Sequence, residues 1–468
     1  MFPSMISARI RWLFAAGTTM LMFAAAMSGN MTRGADALYL EYSVVSNKDQ
    51  GSKPVESRFA MKACLMNSII SIDSQKSQTV YNFKTCRVRA SDPKTATWSD
   101  TSLYAMIGFR VKEYQNRMHL ADAVNKVVDP QMTLDDDEFM MQTLFGIKPP
   151  KNGQPATATT AVKKTTRDGF DIYSYNGKEC ARVKYSNREI PESLRPVFER
   201  FLIYAFTMHP DVRREIVKSG KVPAEMALNW QSIGTVTKNE YTLTDSRLGG
   251  APEKWPGENE MMTDVGDDKM KAAFAAARDE KQFALSKNEQ QTGEYIDSRV
   301  AAGVPLDALL AAMEYQLQTG DQDAAVRWLS KYKGPFFHDP KCNLYFASMV
   351  PAGNNQKRNK EELAMVDIID RQGLEKACVL DIQRGDLLMY MGRDEEAHAA
   401  FLAALKGNPF IAGVWKDLGD LYDKSSETQL AWACWDTARR LYPKHFMLRD
   451  VDDLERGLRK NLPEFFLP

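Results

Sequence analysis

The sequence lacks an excess of either charge: lysine plus arginine number 61 and aspartate plus glutamate number 61. Without a basic surplus there is no electrostatic footprint for nucleic acid, whose affinity rests on neutralised phosphates. Histidine is scarce, and His119, His209, His338, His398 and His445 stand far apart, with none of the short spacings that hold zinc. No Gly-x-Ser-x-Gly elbow, phosphate loop or dinucleotide glycine fingerprint occurs, so no residue is nominated as catalytic and no metal or cofactor is expected. His338 and Cys342 share one short stretch, where Asp339-Pro340 reads as a capped helix start rather than as half of a thiol–imidazole pair.

What is present is a soluble composition, 44% hydrophobic and 26% charged, in a chain of 468 residues that is too long for one ordinary core. Its apolar run from Trp12 to Met27 is shorter than the roughly 20 residues of a spanning helix. Arg9 and Arg11 precede the run and Ala24-Ala25-Ala26 end it, which is the order of a secretory signal peptide over residues 1–26. Ala35-Asp36-Ala37 is a second candidate for cleavage. Removal after Ala26 takes away two arginines and no acids, 59 − 61 = −2, leaving a nearly neutral protein expected in the periplasm or secreted, and not transmembrane.

Export permits disulfides, and six cysteines are present: Cys64, Cys86, Cys180, Cys342, Cys378 and Cys434. Residues 57–72 and 78–90 read as strands about a turn centred on Gln75, and in that register Cys64 opposes Cys86, within reach of a disulfide.

From Leu38 to Met118 apolar and polar residues alternate, as in Leu38, Leu40, Tyr42, Val44, which predicts an antiparallel meander with one buried face. Residues 120–145 read as helix, with Asp135-Asp136-Asp137-Glu138 near a helix start, where carboxylates stabilise the dipole and lack the spacing of a calcium loop. Residues 148–168 read as a mobile loop, and Asn176-Gly177 is a strong hairpin turn. Helices follow over 191–208 and 211–219, then a strand pair over 227–244. The expectation is an α+β domain over 38–245, an antiparallel curved sheet with inserted helices, then a linker over 246–266 and an all-α region over 267–468.

The turn Tyr175-Asn176-Gly177-Lys178-Glu179-Cys180, the Ile190-Pro191 helix start and the strands returning at Thr235 to Leu243 resemble periplasmic β domains related in shape to lipoprotein-carrier half-barrels. That resemblance implies a sheet face able to shelter a lipid or other apolar ligand; the alternative is that the helices at 191–219 simply cover it.

Two blocks of 34 residues, 378–411 and 412–445, lie end to end. Gly385, Leu388, Ala397, Phe401, Ala404 and Pro409 recur 34 residues later as Gly419, Tyr422, Ala431, Trp435, Ala438 and Pro443 only in part by identity, but at the same small, aromatic and breaker positions; Trp415 and Leu418 add two more. The pattern resembles the tetratricopeptide-repeat family, a stack of helical hairpins. Divergent hairpins are expected over 306–332 and 341–372, and a polar capping helix over 450–460. The resemblance implies a partner groove lined by Val379, Ile382, Asp386, Met389 and Tyr390 of the first block, and by Gly413, Lys416, Asp420, Asp423 and Lys424 of the second. The function expected is that of a non-enzymatic adaptor holding a protein or peptide in this groove. The alternative is a periplasmic carrier whose sheet shelters an apolar ligand and whose repeats serve as a docking platform.

Overall fold

A computed structural model describes residues 37–49, 54–74, 77–92, 94, 97–128, 134–147, 162–232, 235–258, 262, 264–349, 355–370, 374 and 378–467, without the side chains of 121, 124–128, 134–137, 231, 232 and 235. The signal peptide, both cleavage sites as wholes, the carboxylates of Asp135, Asp136 and Asp137, and residues 148–161 of the expected loop lie outside it.

Eleven strands form one antiparallel sheet: β1 (Ala37–Asp49), β2 (Val55–Met66), β3 (Ile69–Ser74), β4 (Ser77–Asn82), β5 (Arg87–Asp92), β6 (Thr97–Ser102), β7 (Lys163–Arg167), β8 (Phe170–Tyr175), β9 (Lys178–Glu189), β10 (Lys221–Ser232) and β11 (Thr235–Gly249). Their order is β6-β5-β4-β3-β2-β1-β11-β10-β9-β8-β7. The first and last strands thus meet at the centre, from Ala37↔Gly249 to Asp49↔Val236. Alternation does in β1 what it predicts: Leu38, Leu40, Tyr42 and Val44 enter the core while the residues between them stay partly or fully exposed. At the Asn176-Gly177 turn both residues have positive φ, 48° and 74°, the backbone of a two-residue hairpin whose twist matches its strands.

The meander stops sooner than its pattern predicts. Leu103 begins α1 (Leu103–Val128), followed by α2 (Leu134–Phe145), and Lys163–Arg167 of the expected loop pairs as edge strand β7. The Cys64 to Cys86 register is also corrected. Asn67 and Ser68 turn the chain after Met66, so β2 folds onto β3 and Cys64 opposes Ser71 on one side and Tyr39 on the other. Cys86 sits in the turn before β5 at φ 52°, and the six thiols are free. Cys64 packs near the outer-face cluster of Met66, Ile69 and Trp255, whereas Cys86 belongs to the main core. Trp255 lies in the stretch read as a linker, which is therefore anchored on the outside of the sheet.

Two helices, α3 (Arg195–Ala205) and α4 (Pro210–Ser219), connect β9 to β10. After the sheet come α5 (Asp268–Ala277), α6 (Glu280–Ser286), α7 (Glu289–Ala301), α8 (Pro305–Thr319), α9 (Gln322–Lys331), α10 (Lys333–His338), α11 (Pro340–Ser348) and α12 (Gln356–Asp370). The two 34-residue blocks then fold as hairpins, α13 (Cys378–Tyr390) on α14 (Asp394–Gly407) and α15 (Ala412–Lys424) on α16 (Thr428–Leu441), with α17 (Arg449–Asn461) beyond them. The fold is an α+β sheet domain followed by a helical-hairpin array, and one continuous apolar cluster runs through both.

In each hairpin a glycine admits an aromatic ring. A Cβ on Gly385 would lie 2.4 Å from the Phe401 ring, and one on Gly419 would lie 2.3 Å from the Trp435 indole. Helix propensity alone favours alanine over glycine by about 1 kcal/mol, but overpacking a filled core costs typically 1–3 kcal/mol. Gly419→Ala therefore lowers stability by up to about 2 kcal/mol in urea denaturation, and a more stable variant would contradict this packing. Peptide mapping of unreduced protein is expected to return Cys64 and Cys86 unlinked; a peptide joining them would restore the simpler hairpin.

Candidate functional site

The stripe expected to line a partner groove is mostly enclosed by the chain itself. Helix α8 packs against α11, α13 and α15, the first helices of three hairpins. It is pinned there by Asn408, whose Nδ2 donates to Glu314 at 2.7 Å and to Gln318 at 2.9 Å. Val379 and Lys416 are buried, and Ile382, Asp386, Met389, Gly413 and Asp420 are partly so. Gly413 faces His445 and Met447, Lys416 pairs with Asp420, and the Trp435 indole N–H donates to Asp420 at 3.2 Å. Asp423 is held by Lys112 of α1, and Lys424 reaches Asp394 at 2.6 Å. Tyr390, 48% exposed, and Lys424 are the stripe residues most open to solvent. The enclosure has a tertiary cause: periodicity identifies the face, whereas an upstream helix and the segment after α16 cover most of it.

That enclosure perturbs two carboxyls. Burial pushes Asp386 up to about 7, and burial together with the charges of Asp386 and Asp420 raises Asp417 further above the usual carboxylate range. With folded values above unfolded ones, both carboxyls favour the fold most at low pH, and the contribution of Asp386 is lost as pH rises through about 7.

A cleft of about 200 Å³ opens where β5 and β6 meet α5 and α16. Arg87 donates to Asp100 at 2.7 Å and also to Asp436, while Arg278 donates to Asp264 at 2.8 Å. The Arg440 guanidinium donates to the Ala277 carbonyl at 3.0 Å. Each of these aspartates has a cation, so the cleft is an ion-paired seam that fastens the sheet edge to the array.

The inner face of the sheet is the more distinctive region. Its wall is built from Leu38, Leu40, Tyr42 and Val44, from Met61, Ala63 and Leu65, and from Tyr173, Val183, Met226 and Tyr241. Against it lie Val197, Phe198, Phe201 and Leu202 of α3, all fully buried. Phe206, just after α3, meets Tyr42 and Tyr241 edge-on with centroids 6.1 and 4.9 Å away, and Tyr204 stacks on Tyr81 at 4.6 Å. The helical segment 190–220 is thus a plug joining two strands, β9 and β10, that already pair with each other. The helices α1 and α2 form a strap, because they carry the chain from edge strand β6 to edge strand β7.

A third closure comes from the segment after α17. Arg200 Nε donates to the Phe466 carbonyl at 2.7 Å, and the Tyr204 hydroxyl to the Phe465 carbonyl at 2.8 Å. Tyr104 of α1 stacks on Trp432 at 5.3 Å and accepts from Arg459 at 2.6 Å. None of Arg110, Arg200, Tyr204, Arg213 or Phe465 stood out in the sequence. The Phe465-Phe466-Leu467 run after a polar helix was the available signal of a docked tail. Among the described residues no group of His, Cys, Asp and Glu could hold a metal, and no helix is long and apolar enough to cross a membrane.

No family model matches the chain, and neither does any curated protein. A solved structure described as lipid–protein interactions in lipovitellin is similar at 9% identity and a TM-score of 0.17, over 92% of this chain and 55% of that one. The chain therefore spans about half the length of that structure, and a likeness this low bears on neither fold nor function.

The acidic pair supplies a test of the enclosed stripe. Between pH 5 and 8 the wild-type melting temperature is expected to fall relative to that of Asp386→Asn, which has no proton to lose at that site. Parallel curves for the two proteins across that range would place Asp386 in water.

Proposed function

We propose that the protein is an exported carrier of an apolar ligand, held on the concave inner face of the sheet domain, with the helical array as its docking platform. The observation that supports this reading is the topology of the plug. β9 and β10 are paired neighbours, a connection that two residues can make, yet the chain spends the whole of α3 and α4 there and lays Phe198 and Phe201 on the apolar wall. A segment inserted between paired strands can leave the wall without opening any ladder between strands. The wall it would uncover is apolar and broad, the chemistry that a fatty or acyl chain requires. The Arg9 and Arg11 signal-like N-terminus supports export.

The adaptor reading retains one specific observation, Tyr390 standing 48% exposed at the end of α13. Solvent extraction and mass spectrometry of the full chain, purified from an exporting host, separates the two. A carrier yields stoichiometric lipid or takes up a fluorescent fatty acid, and Phe198→Ala, which removes roughly 3–5 kcal/mol of plug packing, raises that uptake several-fold. Neither lipid nor uptake in wild type and variant, with a co-purifying protein lost on Tyr390→Ala, would favour the adaptor instead.

A further inference from the structure

Where strap and plug meet there is a second, smaller cavity of about 80 Å³, two or three waters' worth at roughly 30 Å³ each. Three segments supply its walls: Arg110 of α1, Leu144 and Gly146 at the end of α2, and residues 203–208 with Arg213 where α3 turns into α4. The volume admits a carboxylate or phosphate group and no acyl chain.

Arg213 is 3% exposed and uses little of its hydrogen-bonding capacity. Its Nη1 donates to the Gly146 carbonyl at 3.3 Å, and its Nε is buried with no hydrogen-bond partner among the described residues. A guanidinium presents five donors in a planar fork that matches two oxygens of an oxyanion. The acids whose fields reach Arg213 are Glu464 and Glu199; neither forms an ion pair with it, and Glu199 is bound by Arg200 at 2.8 Å. Burial outweighs those fields and holds Arg213 down to about 10. Arg110 donates to the Phe145 carbonyl at 3.4 Å, and its guanidinium lies over the Tyr204 and Phe465 rings at 5.6 and 5.7 Å. Two cations from different elements therefore border one small cavity, and the deeper one is desolvated with no carboxylate ion-paired to it among the described residues.

We propose that Arg110 and Arg213 form an oxyanion subsite for a carboxylate or phosphate group. Joined to the carrier reading, on which this part rests, the group is the head of an amphiphile whose chain displaces Phe198 and Phe201 from the inner face while residues 203–213 stay against the strap. The same chemistry is offered by a free anion, so the two sources must be told apart.

The test is calorimetric titration of the full chain with oleate, oleyl alcohol and inorganic phosphate, for wild type, Arg213→Gln and Arg110→Gln, with thermal melting to verify folding. Loss of a charge-assisted contact is expected to weaken oleate at least about tenfold in Arg213→Gln and to leave oleyl alcohol within about twofold. If phosphate binds and weakens in the variants while neither apolar probe binds, the subsite stands with a free anion as its occupant and the carrier reading falls. If oleyl alcohol binds and oleate is equally tight in all three proteins, the carrier reading stands and the subsite is overturned. Absence of oleate and phosphate binding to wild type overturns it as well. Arg110→Gln decides the matter if Arg213→Gln does not fold.

Discussion

Strands β6 and β7 are consecutive in the sequence and lie at opposite edges of the eleven-stranded sheet. The connection between them has to pass from one edge to the other, and α1 and α2 supply its described helices, α1 alone reaching about 39 Å with its 26 residues at 1.5 Å per residue. This crossing orders much of the rest. It places α1 where Leu103 and Ile107 join the core on one side while Tyr104 and Lys112 engage the array on the other. The sheet domain and the array therefore share a helix as their common wall, and the ion-paired seam around Arg87 extends that wall to the sheet edge.

An apolar sheet face must be covered, and here the cover is assembled from separate pieces of chain. Plug, strap and the Phe465-Phe466 segment meet around Tyr204, which stacks on Tyr81, hydrogen-bonds the Phe465 carbonyl and lies beneath Arg110. The same meeting leaves the small cavity beside Arg213. Covering a sheet with several short segments rather than one long helix leaves joints between them, and joints are where polar side chains enter an otherwise apolar interior.

Legibility in the sequence followed the range of the interactions. Local patterns were clear: alternation in β1, the Asn176-Gly177 turn, and the 34-residue spacing that sets Gly385 on Phe401 and Gly419 on Trp435. The Cys64 to Cys86 pairing failed because a two-residue turn at Asn67 and Ser68 inserts a strand, and a turn there changes every partner after it. The start of α1 at Leu103 was missed because its apolar and polar residues follow no clean helical stripe, since both of its sides are in contact with protein. The enclosed groove and the pairing of Arg110 with Arg213 were beyond a one-dimensional reading. Each depends on segments about 70 to 100 residues apart in the chain being brought to one place by tertiary packing.

The pairing of β1 with β11 has a consequence for assembly. Two half-sheets, β1 to β6 and β7 to β11, can each form from neighbouring hairpins, but the joint between them closes a loop of nearly the whole domain, from Asp49 paired with Val236 to Ala37 paired with Gly249. Such a closure carries a large entropic cost before any contact offsets it, and it belongs to the slow class of folding events. Until it occurs, each half presents its longest strand as an open edge, the form most prone to pairing with another chain. A chain that emerges into its compartment from one end would pass through that state on every round of synthesis, so the central ladder is where a holding chaperone has the most to protect.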